Sequence, residues 1–199
     1  MWEAAFFEKL WPVLVLVVLC FGLDYYLTLL GAFHYRRGAC EHITHEGSYE
    51  LTPEFQNDVD SLRLVSPRLI RDIIFAMVII TGLWYAGRWH WAGMQAMRFV
   101  GGGIILSNAM IVSRHAMNLA RLKSLSRHEG VRGKVYIEQW LSYRTSAAGL
   151  LGMAGVLVLL AVMTGSVACM GGFVFVGFAA CTHWWRSRKK LGATGHEFW

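Results

Sequence analysis

The sequence predicts an all-α, polytopic bundle of five transmembrane helices. Of its 199 residues, 55% are hydrophobic and only 16% are charged, against about one quarter charged in typical soluble domains. Its mean hydropathy is +0.40. The apolar residues gather in long runs between charged stretches, as expected for a chain that crosses a bilayer several times.

The apolar runs predict where the helices cross, because a span needs about 20 mostly apolar residues. Ser66 and Pro67 mark the start of the second span, since serine is a good N-cap and proline suits the first helical turn. The whole chain is treated as one membrane domain, residues 1–199. The predicted spans are residues 10–34, 67–87, 97–120, 145–165 and 167–186, and the loops on the cytoplasmic side are residues 35–66 and 121–144.

The last apolar run, residues 145–185, contains no Asp, Glu, Lys or Arg. As one helix it would be about 60 Å long, twice the thickness of the hydrocarbon core. Two spans joined by a tight turn fit better. The turn is expected at Gly165-Ser166 or at Gly171-Gly172, because glycine accepts positive φ. A single long tilted helix here would reduce the total to four spans.

Lysine and arginine are concentrated in three segments that fall on one side of a five-helix bundle. Cytoplasmic loops retain positive charge during insertion, which predicts an outside amino terminus and a cytoplasmic carboxyl terminus in a bacterial-type inner membrane. Anionic lipid headgroups then account for the net charge of +6, and nucleic acid is not expected as a partner. The basic residues assigned to this lipid interface are Arg121, Lys123, Arg186, Arg188, Lys189 and Lys190.

Both cytoplasmic loops are expected to contain helical segments. In the first loop, Thr52-Pro53 has the pattern of a helix start, and Phe55 and Val59 then share one face. This predicts a short amphipathic helix that lies along the membrane surface or packs under the bundle. In the second loop, residues 135–143 are expected to resume helical structure.

Three consecutive glycines, Gly101-Gly102-Gly103, lie within the third predicted span. They do not form a phosphate loop, because no strand precedes them and no Lys-Ser/Thr pair follows. Small residues allow helices to approach closely in a membrane. The triplet therefore predicts close packing of this span against a neighbour.

Asp24 carries most of the functional information, since an ionisable side chain inside a span is costly and usually faces protein or water. It lies about 16 Å from the inner end of its helix, and Arg114 lies about 10 Å from the inner end of the third. A polar cluster of Asp24, Thr28, Asn108 and Arg114 is therefore expected between these helices. It is expected to form a cavity for an ion, proton or small polar ligand that is entered from the cytoplasm. Alternatively, it fixes helix packing, either as a buried ion pair of Asp24 with Arg114 or as an aspartate capped by Tyr and Thr hydroxyls.

Histidines at the inner side of the membrane suggest a second kind of site. Neutral imidazole ligates zinc or copper, and two facing histidines can ligate haem iron. The candidate metal or haem ligands are His34, His42, His45, His115 and His183. Their spacing matches no specific metal motif, so no cofactor is favoured.

Function follows less directly from the sequence than fold does. Neither G-x-S-x-G nor H-E-x-x-H is present, so no catalytic residue is assigned and a non-enzymatic protein is favoured. The working hypothesis is a small transport- or channel-like protein that uses the Asp24 cluster, as a homo-oligomer or within a larger membrane complex. The alternatives are a non-catalytic accessory or scaffold subunit, and a haem- or metal-binding membrane enzyme.

Overall fold

A computed structural model describes residues 2–46, 50–127 and 133–193, and this part of the chain is built mainly from long helices. Five of them are long and apolar enough to cross a membrane, which confirms an integral, multi-pass membrane protein. The helices are α1 (Trp2–Glu8), α2 (Leu10–Arg37), α3 (Pro53–Asp60), α4 (Pro67–Gly87), α5 (Trp91–Leu125), α6 (Gln139–Thr164) and α7 (Val167–Ala193).

The predicted spans match five of these helices, but α5 is longer than its predicted span. It has 35 residues, and therefore measures about 52 Å. The apolar pattern marks only the part suited to hydrocarbon, whereas the helix extends beyond that part at both ends. Ser66 caps α4 as predicted, because its side chain accepts a hydrogen bond from the backbone N–H of Leu69 at 3.3 Å.

The tight turn between α6 and α7 lies at Gly165-Ser166, the first of the two predicted positions. Gly165 has φ +65°, and its N–H bonds to the carbonyl of Ala161 at 2.8 Å, which closes α6. The Ser166 hydroxyl then accepts a hydrogen bond from Cys169 N at 3.1 Å and caps α7. A residue in the left-handed conformation commonly ends a helix, and the N-cap residue that follows it here starts the next helix.

Glycine allows α5 and α7 to approach backbone to backbone. A Cβ atom on Gly171 would lie 1.8 Å from the carbonyl oxygen of Phe99, and one on Gly102 would lie 2.3 Å from the Cβ of Ala168. A Cβ on Gly103 would lie 2.7 Å from the ring of Phe175. These distances confirm the predicted packing role of the glycine triplet. They also explain why Gly171 lies inside α7 and not in the turn.

The two ends of the bundle differ in how they are filled. We call the end that holds residues 88–90 and 165–166 the turn end, and the end that holds residues 38–46 and 133–138 the loop end. At the turn end, apolar side chains from α1, α2, α4, α5 and α7 form one core cluster. Its buried members are Phe7, Val13, Val17, Ala76, Ile80, Met97 and Ala168.

At the loop end, the two long loops meet in a parallel pair of strands that the sequence analysis did not predict. Strand β1 (Ile43–His45) aligns with strand β2 (Val135–Ile137), Ile43 opposite Val135. The prediction of a helix over residues 135–143 is wrong for the first four of them, since α6 begins at Gln139. Val-Tyr-Ile favours strands, and the partner strand supplies the hydrogen bonds from a distant part of the chain.

The short helix predicted in the first loop is present as α3, and it packs under the bundle. Val59 is fully buried, and the ring of Phe55 lies 6.1 Å from the ring of Tyr25 on α2. The Tyr25 hydroxyl also donates a 2.6 Å hydrogen bond to the carbonyl of Arg63 just beyond α3. The first loop is thereby attached to the membrane helices, close to Asp24.

A local polar network holds α3 against the start of α4. The Ser66 hydroxyl donates a 2.5 Å hydrogen bond to Asp58, and Arg63 lies 3.4 Å from the same carboxylate. The hydrogen bond from Ser66 lowers the pKa of Asp58, and the Arg63 guanidinium acts in the same direction. Asp58 is therefore an ionised anchor in the folded protein at neutral pH.

Candidate functional site

A cavity of about 710 Å³ opens at the loop end of the bundle. Its walls come from α2, α5, α6 and α7, together with α3 and the neighbouring parts of the two loops. Small-molecule sites in proteins typically enclose about 300–1,000 Å³. The cavity is therefore large enough for an organic ligand, and it contains the residues that the sequence analysis singled out on α2.

Asp24 and His115 face each other across the contact between α2 and α5. Nε2 of His115 lies 3.2 Å from Oδ1 of Asp24, and its Nδ1 lies 3.4 Å from the hydroxyl of Thr28. That hydroxyl has one hydrogen, which it donates to the carbonyl of Asp24 at 2.9 Å. Nδ1 is therefore the donor to Thr28, and Nε2 faces Oδ1 of Asp24, where one proton held by either atom would join the two side chains.

Two buried polar atoms at the cavity lack a well-aligned hydrogen bond within the described part of the chain. Oδ1 of Asp24 is at ion-pair distance from His115 but accepts no hydrogen bond of good geometry, and Nδ1 of His183 contacts no donor or acceptor. His183 is held by Tyr143, whose ring centroid lies 5.6 Å away. Buried polar atoms are normally satisfied by protein, water or ligand, so both atoms are suited to contact a bound molecule.

Arg114 contacts α6, whereas its neighbour His115 contacts α2. Its guanidinium donates a 2.6 Å hydrogen bond to the buried hydroxyl of Ser146. The positive charge of Arg114 also interacts electrostatically with Glu50 in the first loop. Burial raises the pKa of the Glu50 carboxyl, while hydrogen bonds from Thr52 and the charge of Arg114 act against that rise.

The first loop closes part of the cavity from the loop end. Tyr143 on α6 donates a 2.8 Å hydrogen bond to the carbonyl of Leu51, and the Glu46 carboxylate accepts one from Gln139 N at 3.0 Å. His45, whose ring lies 5.5 Å from that of Tyr35, also lines the cavity. Burial lowers the pKa of His45, which favours a neutral ring in this wall.

The structure brings together three of the four residues in the predicted polar cluster. Asp24, Thr28 and Arg114 all line the cavity. Asn108 does not, because its amide donates to the carbonyl of Ile104 on its own helix at 2.8 Å. The contact of Asp24 with His115 is not part of the predicted cluster, in which His115 appears only as a candidate metal or haem ligand.

Other residues of the site had little or no signal in the sequence. Glu50 is one of several acids in a polar loop, and Ser146 is a hydroxyl in an apolar run. His183 stood out only as a histidine near the end of a span. A contact between a loop and two helices far apart in sequence, such as that between Tyr143 and Leu51, has no local pattern.

The five candidate metal or haem ligands occupy separate places. His34 lies 3.3 Å from the Ser126 hydroxyl, and His42 lies 3.3 Å from the carbonyl of Gly133. His45, His115 and His183 line the cavity but approach it from β1, α5 and α7. Among residues 2–46, 50–127 and 133–193, no three His, Cys, Asp or Glu side chains are grouped as metal ligands.

The basic residues assigned to the lipid interface lie at the loop end. Arg121 lines the cavity, and the ammonium of Lys189 lies 5.7 Å from the ring of Trp185. Arg186 is half-buried, whereas Lys123, Arg188 and Lys190 are exposed. A cation beside an interfacial tryptophan is typical of a helix end at a membrane surface.

Comparison of the chain with protein-family models, with curated proteins and with solved structures found no match. The functional interpretation therefore rests on the geometry of the site.

Proposed function

We propose that this chain is a small membrane carrier that binds its ligand in the cavity beside Asp24. The observation that carries the proposal is a cavity of about 710 Å³ that opens at one end of a membrane bundle and is lined by Asp24, Arg114, His115 and His183. Ionisable groups within a span are costly, and they usually mark the path of an ion or substrate.

A carrier fits the packing better than an open channel. Val13, Val17, Ile80 and Met97 are fully buried at the turn end. In this conformation the core cluster blocks the route from the cavity to that end. A cavity closed on one side is a resting state of an alternating-access cycle, in which helices rearrange to expose the site to the other side.

We further propose that the loop end faces the cytoplasm of a bacterial-type inner membrane. The amino terminus would then lie outside and the carboxyl terminus inside. The basis is the set of basic residues at the loop end, because positive charge is retained on the cytoplasmic side. Anionic headgroups are the expected partners of Lys189 and its neighbours.

Labelling of Cys40 tests this orientation. Cys40 lies at the loop end, while Cys20, Cys169 and Cys181 lie in the long helices. In a protein that keeps only Cys40, we expect a membrane-impermeant maleimide to react in inverted vesicles and not in intact cells. As a matched control, Trp89→Cys in a cysteine-free background places the thiol at the turn end, where Trp89 is 72% exposed. The reverse pattern for the two thiols would overturn the orientation.

Native mass spectrometry of the protein, extracted gently from its own membrane, tests the carrier proposal. We expect a homo-oligomer or monomer with a small bound mass. Gly149→Phe places a ring in the cavity wall at a position where the new Cβ meets nothing within 4 Å. This variant should lose the bound mass. Gly152→Phe is the matched control, because Gly152 is exposed and equally open but does not line the cavity.

Two results would contradict the carrier proposal. One is equal retention of the bound mass by Gly149→Phe and Gly152→Phe, which would place the molecule elsewhere. The other is recovery of a defined heteromer without any small bound mass. That second result would favour a non-catalytic accessory subunit, in which the polar groups serve only to pack helices.

A further inference from the structure

Carboxyl groups outnumber guanidinium groups in the cavity wall, even though Asp72 is paired with Arg71 outside the wall. Within the described residues, four carboxylates line the cavity, and only two guanidinium groups do. A wall with excess negative charge concentrates cations and repels anions. The carboxylates are Asp24, Glu46, Glu50 and Asp72, and the guanidinium groups are Arg114 and Arg121.

Asp24 differs from the other three carboxylates in its hydrogen bonds. Glu46 accepts a bond from Gln139 N at 3.0 Å, Glu50 accepts one from Thr52 N at 2.6 Å, and Asp72 pairs with Arg71 at 2.9 Å. Oδ1 of Asp24 is buried and accepts no well-aligned bond within the described chain. Nε2 of His115 lies 3.2 Å from this oxygen but makes no well-aligned hydrogen bond with it.

Apolar and aromatic side chains line the same cavity as this carboxylate. Phe21 and Tyr25 lie next to it on α2, and Phe55 approaches Tyr25 from α3. Ile111 and Leu150 form the walls on α5 and α6. Aromatic faces attract cations, and apolar walls favour a ligand with an apolar body.

We propose that the ligand of the cavity is an amphipathic organic cation, whose charged group contacts Asp24 and whose apolar body lies between Phe21, Phe55 and Leu150. This inference rests on the proposed carrier function and names its substrate class. An anionic ligand fits less well, because Arg114 already donates to Ser146 and its charge acts on Glu50.

Equilibrium dialysis with two probes of nearly the same shape and opposite charge tests the proposal. The probes are tetraphenylphosphonium and tetraphenylborate, and the protein is held in nanodiscs of zwitterionic phosphatidylcholine. Binding to Gly149→Phe is subtracted as the contribution of lipid and surface. The measurement is repeated with a smaller cation, benzyltrimethylammonium. We expect saturable binding of the cations at one site and no saturable binding of the borate.

Two carboxylate variants distinguish a direct contact of the cation with Asp24 from a general attraction to the negative charge of the cavity wall. Asp24→Asn should weaken phosphonium binding at least tenfold, while Asp72→Asn should change it less than threefold, because Asp72 is already paired with Arg71. Equal effects of both variants would overturn the direct contact with Asp24. If Asp24→Asn does not fold, the preference of the wild-type protein for phosphonium over borate decides the ligand class.

The remaining outcomes distinguish this inference from the proposed function. Saturable binding of the borate alone, lost in Gly149→Phe, would overturn the cation class and leave the carrier proposal in place. Binding of no probe above the Gly149→Phe level would also overturn the cation class. In that case the bound mass seen by native mass spectrometry would decide the carrier proposal separately.

Discussion

Replacement of Gly171 by alanine is expected to destabilise the bundle by at least about 3 kcal/mol, the upper limit of the usual cost of an overpacked core. The new Cβ would lie 1.8 Å from the carbonyl oxygen of Phe99. The new Cβ is bonded directly to the backbone of α7, and the oxygen belongs to the backbone of α5. No change of rotamer can therefore relieve the clash. Helices α5 and α7 would have to separate along their contact.

The measurement is the yield and thermal stability of monodisperse protein in mild detergent. Gly177→Ala on the same helix is the matched control, because a Cβ at Gly177 meets nothing within 4 Å. This control should fold as well as the wild-type protein. If Gly171→Ala and Gly177→Ala were equally stable, the close contact between α5 and α7 would be wrong.

Removal of the imidazole beside Asp24 is the second change with a large expected effect. His115→Leu should lower the free energy of unfolding by about 2 kcal/mol. Loss of one partner from a buried pair typically costs about 3–5 kcal/mol, and the cost here is smaller because 32% of the Asp24 side chain remains exposed. The residual exposure faces the cavity, where water can partly solvate the carboxylate.

A double-mutant cycle isolates this interaction from other effects of the leucine. Adding Asp24→Asn to His115→Leu removes the uncompensated charge, so the double variant should recover at least half of the lost stability. Reversible unfolding in mixed micelles provides the four free energies. Strictly additive losses would show that Asp24 and His115 do not interact. His115→Leu should also bind tetraphenylphosphonium more tightly, because it removes the side chain that lies 3.2 Å from Oδ1 of Asp24.

The sequence predicted the membrane helices well because each depends on local composition. An apolar run long enough to cross hydrocarbon satisfies its own backbone hydrogen bonds as a helix, wherever the rest of the chain lies. The start of α4 and the end of α6 also depend on local sequence. Ser66 supplies a cap and Gly165 accepts a left-handed conformation, and both are properties of single residues.

The candidate site was predicted only in part. Asp24 could be identified because a charged residue within an apolar run is recognisable from the sequence alone. Thr28 was included because it lies four residues later, on the same face of the helix. The helical period does not reveal which face of α5 meets α2, so the prediction included Asn108, whose amide bonds within its own helix. It also missed His115 as a contact of Asp24.

The sequence by itself determined that the chain folds as apolar helices in a membrane, with a short helix in the first loop and an acid inside α2. Only the tertiary structure decided that β1 pairs with β2, that Gly171 meets Phe99, and that Asp24 faces His115 beside a cavity. The physical reason is the range of the interactions. Transfer into the bilayer and backbone hydrogen bonding act within each helix, whereas these contacts join residues distant in sequence and exist only after the helices pack.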